Sequence, residues 1–172
     1  MAVKKTIAIL GATEEMGTIF AYNLARYNYR LLLISDDKSR LSKIISNIKK
    51  HIPTAEVVTS GCERDASWES DTILISAGQD SIEKAGKLCQ VATQKPVIRI
   101  FRDEESRDRT LRLAGEEEFL PNSKVVDVVM NSIRTGGTIH GQDEEALNET
   151  SYILRLAGFY PHLATQEEKS VF

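Results

Sequence analysis

Ile7-Ala8-Ile9-Leu10-Gly11-Ala12-Thr13-Glu14-Glu15-Met16-Gly17 is the stretch on which the fold turns. Its first residues form a continuous apolar run, too short for a helix and closed by a glycine. Such a run reads as a strand buried on both faces. Gly11 permits a tight turn. Beyond it the apolar period lengthens: Met16, Ile19, Phe20, Leu24 and Tyr27 fall on one face of a helix over residues 15–28. Strand, tight turn and helix in this order open a βα unit.

The same alternation continues outward. Residues 5–10, 30–35, 55–59, 72–77 and 96–101 read as strands. Residues 38–50 give a clear helical period, with Leu41, Ile44, Ile45 and Ile48 at i, i+3, i+4 and i+7. Residues 80–93 read as a helix with Ile82, Ala85, Cys89 and Ala92 inward, and residues 103–117 as a highly charged, exposed helix. Strands follow at 124–130 and 136–140, then a helix at 142–157 whose first turn carries Asp143, Glu144 and Glu145, where the helix dipole favours acids. Residues 159–163 add an edge strand. Continuous apolar strands between amphipathic helices predict an α/β fold: a doubly wound, mainly parallel sheet, first strand in its interior, helices on both faces. No linker or repeat interrupts the chain, so residues 1–165 read as one domain and 166–172 as a tail.

Composition excludes several classes of function. The 172 residues are 41% apolar and 27% charged with a net charge of -3, which suits one soluble domain with a full core. No basic run longer than Lys49-Lys50 offers a footprint for nucleic acid or an anionic membrane. No apolar run approaches the roughly 20 residues of a membrane span. The N-terminal stretch reads as a strand and not as a signal peptide. The two cysteines, Cys62 and Cys89, have no metal-ligand spacing and read as reduced thiols, so the expected location is cytoplasmic.

Three sites carry candidate chemistry. A strand, turn and helix N-terminus can hold a dinucleotide pyrophosphate, because free backbone N–H groups and the positive helix end face the phosphates. Gly11 would make the turn and Gly17 would let the helix approach the sheet, with Thr13 and Met16 between them. The glycine usual at the point of closest phosphate approach is replaced by Glu14. The alternative is a plain βα turn with two incidental glycines. The second site is Ile34-Ser35-Asp36-Asp37-Lys38, where such folds select the adenosine ribose. Asp36 with Ser35 suits the 2′-OH of NAD, while Lys38 or Arg40 could still meet the 2′-phosphate of NADP. Alternatively Asp36 or Asp37 only caps the next helix. The third site is Ile75-Ser76-Ala77-Gly78-Gln79, whose small residues Ala77 and Gly78 would leave space beside a nicotinamide; a turn before a helix accounts for the same residues.

The order of these segments resembles the deazaflavin-dependent NADP oxidoreductase family. The resemblance is carried by Ile7-Ala8-Ile9-Leu10-Gly11-Ala12-Thr13, Ile34-Ser35-Asp36-Asp37 and Asp71-Thr72-Ile73-Leu74-Ile75. It continues through Lys124-Val125-Val126, Gly141-Gln142-Asp143-Glu144-Glu145-Ala146 and Leu156-Ala157-Gly158-Phe159-Tyr160-Pro161, which look like the family's sixth strand, acidic helix start and Gly-Phe-x-Pro strand. The resemblance implies a Rossmann fold, NADP as cofactor and hydride transfer to a partner cofactor or small electron acceptor. The family's loop reads Gly-x-Thr-Gly-x-x-Gly, with glycine where Glu14 stands, and its second strand ends Ser-Arg, with arginine where Asp36 stands. The family often adds C-terminal helices that complete the acceptor site, where this chain shows only its tail.

No Tyr-x-x-x-Lys pair and no Gly-x-x-x-x-Gly-Lys-Ser/Thr loop occurs, which argues against a short-chain dehydrogenase and a P-loop nucleotidase. His51, His140 and His162 are isolated and read as surface or packed residues, and no metal site is expected. Direct hydride transfer needs no protein acid or base, so no catalytic residue is singled out. The leading expectation is an NAD(P)-binding oxidoreductase-like domain. The competing expectation is a non-catalytic Rossmann module for binding or interaction, favoured by Glu14. A homodimer fits either, and no sequence feature decides it.

Overall fold

The computed structural model describes residues 3–76, 94–114 and 123–164. In chain order the elements are β1 (Lys5–Leu10), α1 (Glu15–Leu24), β2 (Tyr29–Ile34), α2 (Lys38–His51), β3 (Glu56–Thr59), α3 (Glu63–Glu69) and β4 (Thr72–Ser76). They continue with β5 (Pro96–Phe101), α4 (Glu104–Ala114), β6 (Lys124–Met130), β7 (Gly136–Gly141), α5 (Glu144–Leu156) and β8 (Tyr160–Leu163). The helix expected over residues 80–93, together with Cys89, Ala77, Gly78 and the tail, lies outside the described residues.

The strands form one 8-stranded sheet in the order β3-β2-β1-β4-β5-β6-β7-β8. From β3 to β6 every neighbouring pair is parallel, with Lys5 opposite Tyr29 and Ile7 opposite Thr72 at the centre. β1 therefore lies in the interior, as the continuous apolar strands predict. β7 runs antiparallel to β6, and β8 pairs parallel to β7. The connection over residues 131–135 is too short for a parallel crossover, so the chain must reverse there.

Both faces of the sheet are covered. Ile7, Ile9, Leu31, Leu33, Leu74, Ile98 and Val126 pack on one side, against Phe20 and Leu24 of α1, Leu41 and Ile48 of α2, and Ile153 of α5. The alternate residues Ala8, Leu10, Leu32, Ile34, Ile73 and Val97 pack on the other, against Ala66 of α3. Successive strand residues point to opposite faces, so burial on both requires apolar residues at every position. Phe20 and Phe159 meet with ring centroids 5.5 Å apart and join α1 to the start of β8.

Two expectations need correction. The first helix ends at Leu24 and not at residue 28, and Tyr27 is 43% exposed. Ala25, Arg26 and Tyr27 instead form the turn into β2, with Tyr27 N–H donating to the Leu24 carbonyl at 3.0 Å. The second is α3, where the sequence predicts no helix. Only Ala66 and Ser67 of its seven residues are buried, so it shows no apolar stripe. Lys95 holds its end from across the fold, its Nζ donating to the carbonyls of Ser67 at 2.6 Å and Trp68 at 2.7 Å. No helix among the described residues is long and apolar enough to cross a membrane.

Candidate functional site

The strand order reverses direction between β1 and β4: β2 and β3 lie to one side, β5 and β6 to the other. At such a switch point the loops leaving the strand carboxyl ends diverge and open a crevice, the usual ligand site of open α/β sheets. The loop from β1 into α1 forms one wall.

That loop is built around its two glycines. Gly11 has φ +72°, and a Cβ there would lie 3.1 Å from the Ser76 carbonyl oxygen. A Cβ on Gly17 would lie 2.1 Å from the Gly11 carbonyl oxygen, so α1 can start this close to the strand only with glycine at that position. Ala12 N–H donates to the Ile34 carbonyl at 3.1 Å and ties the turn to the end of β2. Glu14 N–H closes the turn on the Gly11 carbonyl at 2.9 Å, and Thr18 Oγ1 donates to the Ala12 carbonyl at 2.9 Å.

Glu14 is the N-cap residue of α1, extended at φ -73° and ψ 160°, and its side chain makes no capping hydrogen bond. Its carboxylate lies over the glycine turn: Cδ is 3.4 Å from where a Gly11 Cβ would stand, and Oε2 accepts from Ser76 Oγ at 3.3 Å. The first-turn N–H groups of α1 thus have no side-chain cap from Glu14, while a negative charge sits beside them. Glu15, next in the turn, pairs with Arg134 from the connection between β6 and β7.

The other residues singled out in the sequence divide by role. Thr13 and Ser35 are both buried, and their hydroxyls meet at 2.5 Å. Ser35 Oγ also accepts from Asp37 N–H at 3.2 Å. The two hydroxyls therefore lock the glycine loop to the end of β2. Asp37 caps α2, its Oδ1 accepting from Arg40 N–H at 2.9 Å. Asp36 and Asp37 are both exposed at the end of β2.

Beyond the switch point lies a cavity of about 300 Å³. Met16, Ile100 and Met130 supply its apolar lining; Glu14, Glu15, Ser76, Arg102 and Arg134 bring polar groups. Sequence reasoning did not single out Arg102 or Arg134. Arg134 has φ +52°, a left-handed conformation worth roughly 1–2 kcal/mol of strain in a residue with a side chain. Its N–H donates to the Asn131 carbonyl at 2.9 Å, and Asn131 Oδ1 accepts from Thr135 N–H at 2.9 Å, so the surrounding turn enforces the conformation. Glycine or asparagine is the usual choice at such a position.

A separate polar cluster lies between the sheet and α4. The register places Arg99, Asp127 and His140 in one row across β5, β6 and β7. Asp127 accepts from Arg99 Nε at 2.6 Å and Nη2 at 2.9 Å, and from Arg107 Nε of α4 at 3.1 Å. It fastens α4 to the sheet. Among the described residues no group of three or more His, Cys, Asp or Glu side chains is placed to hold a metal ion.

No protein-family model matches this sequence, and no curated protein sequence matches it. Similar solved structures exist. A protein assigned as an F420-dependent NADP reductase from Arthrobacter sp. FB24 superposes with a TM-score of 0.66 at 17% identity, over 91% of this chain and 82% of that one. The 3-hydroxyisobutyrate dehydrogenase of Mycobacterium tuberculosis gives 0.66 at 14% identity, over 94% of this chain and 54% of that one. An imine reductase from Myxococcus stipitatus in complex with NADP+ gives 0.64 at 11% identity, over 92% and 54%. The fold is of the Rossmann type. The chain spans about half the length of the latter two proteins.

Proposed function

We propose that the chain is an NAD(P)-binding, oxidoreductase-like domain that holds a nicotinamide dinucleotide across the crevice between β1 and β4. One observation carries the reading: α1 opens at the switch point, from a turn in which Gly11 takes a left-handed backbone and Gly17 leaves no room for a side chain. A helix N-terminus so placed is an anion site. The described residues suit the group at two points. Gly11, Met16 and Gly17 would surround the pyrophosphate, with Thr13 holding the loop in shape. Asp36, with Ser35 behind it, would meet the adenosine ribose. Ala77 and Gly78, which lie outside the described residues, are the sequence's candidates for the nicotinamide half. When bound, the dinucleotide supplies the hydride, so the chain need only bind, orient and exclude water. Its similarity in fold to reductases described as NADP-dependent or bound to NADP+ agrees with this.

Asp36 sets the expected preference. Its carboxylate suits a ribose hydroxyl and repels a 2′-phosphate, so NADH should bind more tightly than NADPH. Fluorescence titration with both cofactors at equal ionic strength tests the proposal, and Asp36→Ser should narrow the difference. Tighter NADPH binding by the wild type would refute the assigned role of Asp36.

A second reading has one contact in its favour. The Glu14 carboxylate lies over the glycine turn, where a pyrophosphate would approach. If that contact persists in solution, the domain serves as a non-catalytic binding module, and neither cofactor binds at millimolar concentration.

A further inference from the structure

The cavity beyond the switch point carries two arginines that the dinucleotide leaves unassigned, beside Glu14 and Glu15. The arginines come from separate segments: Arg102 follows the carboxyl end of β5, and Arg134 stands in the connection between β6 and β7. Arg134 stands in a left-handed backbone conformation, at a turn position where glycine would be unstrained. Strain of this kind persists where the surrounding structure enforces it, and it concentrates at ligand sites. Its partner in the free chain is Glu15, whose side chain is 59% exposed, so the pair is held by a weak, solvent-screened attraction. Met16, Ile100 and Met130 supply the apolar part of the lining.

We infer that this cavity seats a small organic oxyanion, a carboxylate or phosphate, through Arg102 and Arg134, with the apolar part of the molecule against Ile100 and Met130. About 300 Å³ suits a ligand of metabolite size. Arginine meets both oxyanions through paired N–H donors. Glu15 keeps Arg134 aligned until the ligand competes for it. The inference deepens the proposed function and rests on it: with the nicotinamide at the β4 end of the crevice, a molecule seated here would be the hydride acceptor.

The test uses the full chain with 13C-labelled methionine methyls, observed by NMR. Pyruvate, inorganic phosphate and choline are titrated at constant ionic strength, with and without NADH. Saturable shifts of the Met130 methyl with pyruvate, phosphate or both, and none with choline, are expected. The two anion arms separate a carboxylate from a phosphate ligand. Arg102→Gln and Arg134→Gly should each weaken the anion about tenfold, the scale of losing one charge-assisted contact. Arg134→Gly should also hold or raise the melting temperature, because glycine relieves the left-handed backbone; a purely structural arginine would lower it. Glu15→Gln should tighten anion binding by releasing Arg134. No saturable shift with either anion, stronger binding of choline, or unchanged anion affinity in both arginine variants would overturn the inference. Anion binding without any NADH binding supports the seat and refutes the dinucleotide reading. NADH binding without anion binding does the reverse.

Discussion

Replacing Glu14 with glycine separates the two functional readings. In the free chain the Glu14 carboxylate accepts from Ser76 Oγ at 3.3 Å and lies over the Gly11 turn. A pyrophosphate at the start of α1 would come within about 5 Å of it. Like unit charges at that separation repel by on the order of 3 kcal/mol at an effective dielectric of ~20. Glu14 is exposed, so screening reduces this to about 1–2 kcal/mol. Glu14→Gly should therefore tighten NADH binding roughly 5- to 30-fold. Stability should move the other way. The variant loses the Ser76 contact and a negative charge at the helix N-terminus worth about 0.3–1 kcal/mol, although glycine is itself tolerated at an N-cap. The cofactor-free melting temperature should fall by a few degrees at most. Thermal melts and fluorescence titrations of wild type, Glu14→Gly and Glu14→Gln measure both effects, and the glutamine variant separates charge from shape. If wild type already binds NADH at micromolar levels and Glu14→Gly binds no better, the electrostatic reasoning is wrong. If no variant binds at millimolar cofactor, the dinucleotide reading fails as well.

The packing makes further predictions. Gly17→Ala places a methyl 2.1 Å from the Gly11 carbonyl oxygen, so α1 must shift; a loss of about 3 kcal/mol or more is expected by denaturant melt, and a loss below ~1 kcal/mol would contradict the packing described. Asp127→Asn leaves the largely buried Arg99 and Arg107 facing a neutral amide, and should lose about 3–5 kcal/mol by the same measurement. Asp103 accepts from Ser106 N–H at 2.7 Å at the start of α4, and the hydrogen bonds to Ser106 hold its carboxyl below its ordinary 3.8. A folded value below the unfolded one gives stability that is present above pH 3.8 and is lost as the pH falls through the folded value. Asp103→Ala should therefore melt below wild type near neutral pH, with the gap closing in acid; a gap that is constant with pH would exclude the carboxylate as its source.

What could be read from the sequence was whatever repeats or stands next to itself along the chain. The strands were legible because burial on both faces demands unbroken apolar runs, and α2 because Leu41, Ile44 and Ile48 keep a helical period. The β1 turn was legible because its two glycines are local. The helix α3 was not, since its anchor is Lys95 from far along the chain and not an apolar stripe. Nor could the sequence decide between Asp36 and Asp37 as cap: either side chain could reach the start of α2, and the Arg40 N–H selects Asp37. The charged lining of the cavity was least legible. Glu15, Arg102 and Arg134 come from three separate segments that only the strand order brings together. One signal was available. The short connection before Gly136 requires a reversal, and a reversal of that length often needs a left-handed residue. Glycines stand just beyond it at 136 and 137, yet the left-handed position falls on Arg134. An arginine where the backbone favours glycine is a conflict between local structure and residue choice, and such conflicts are expected where a side chain is needed for binding.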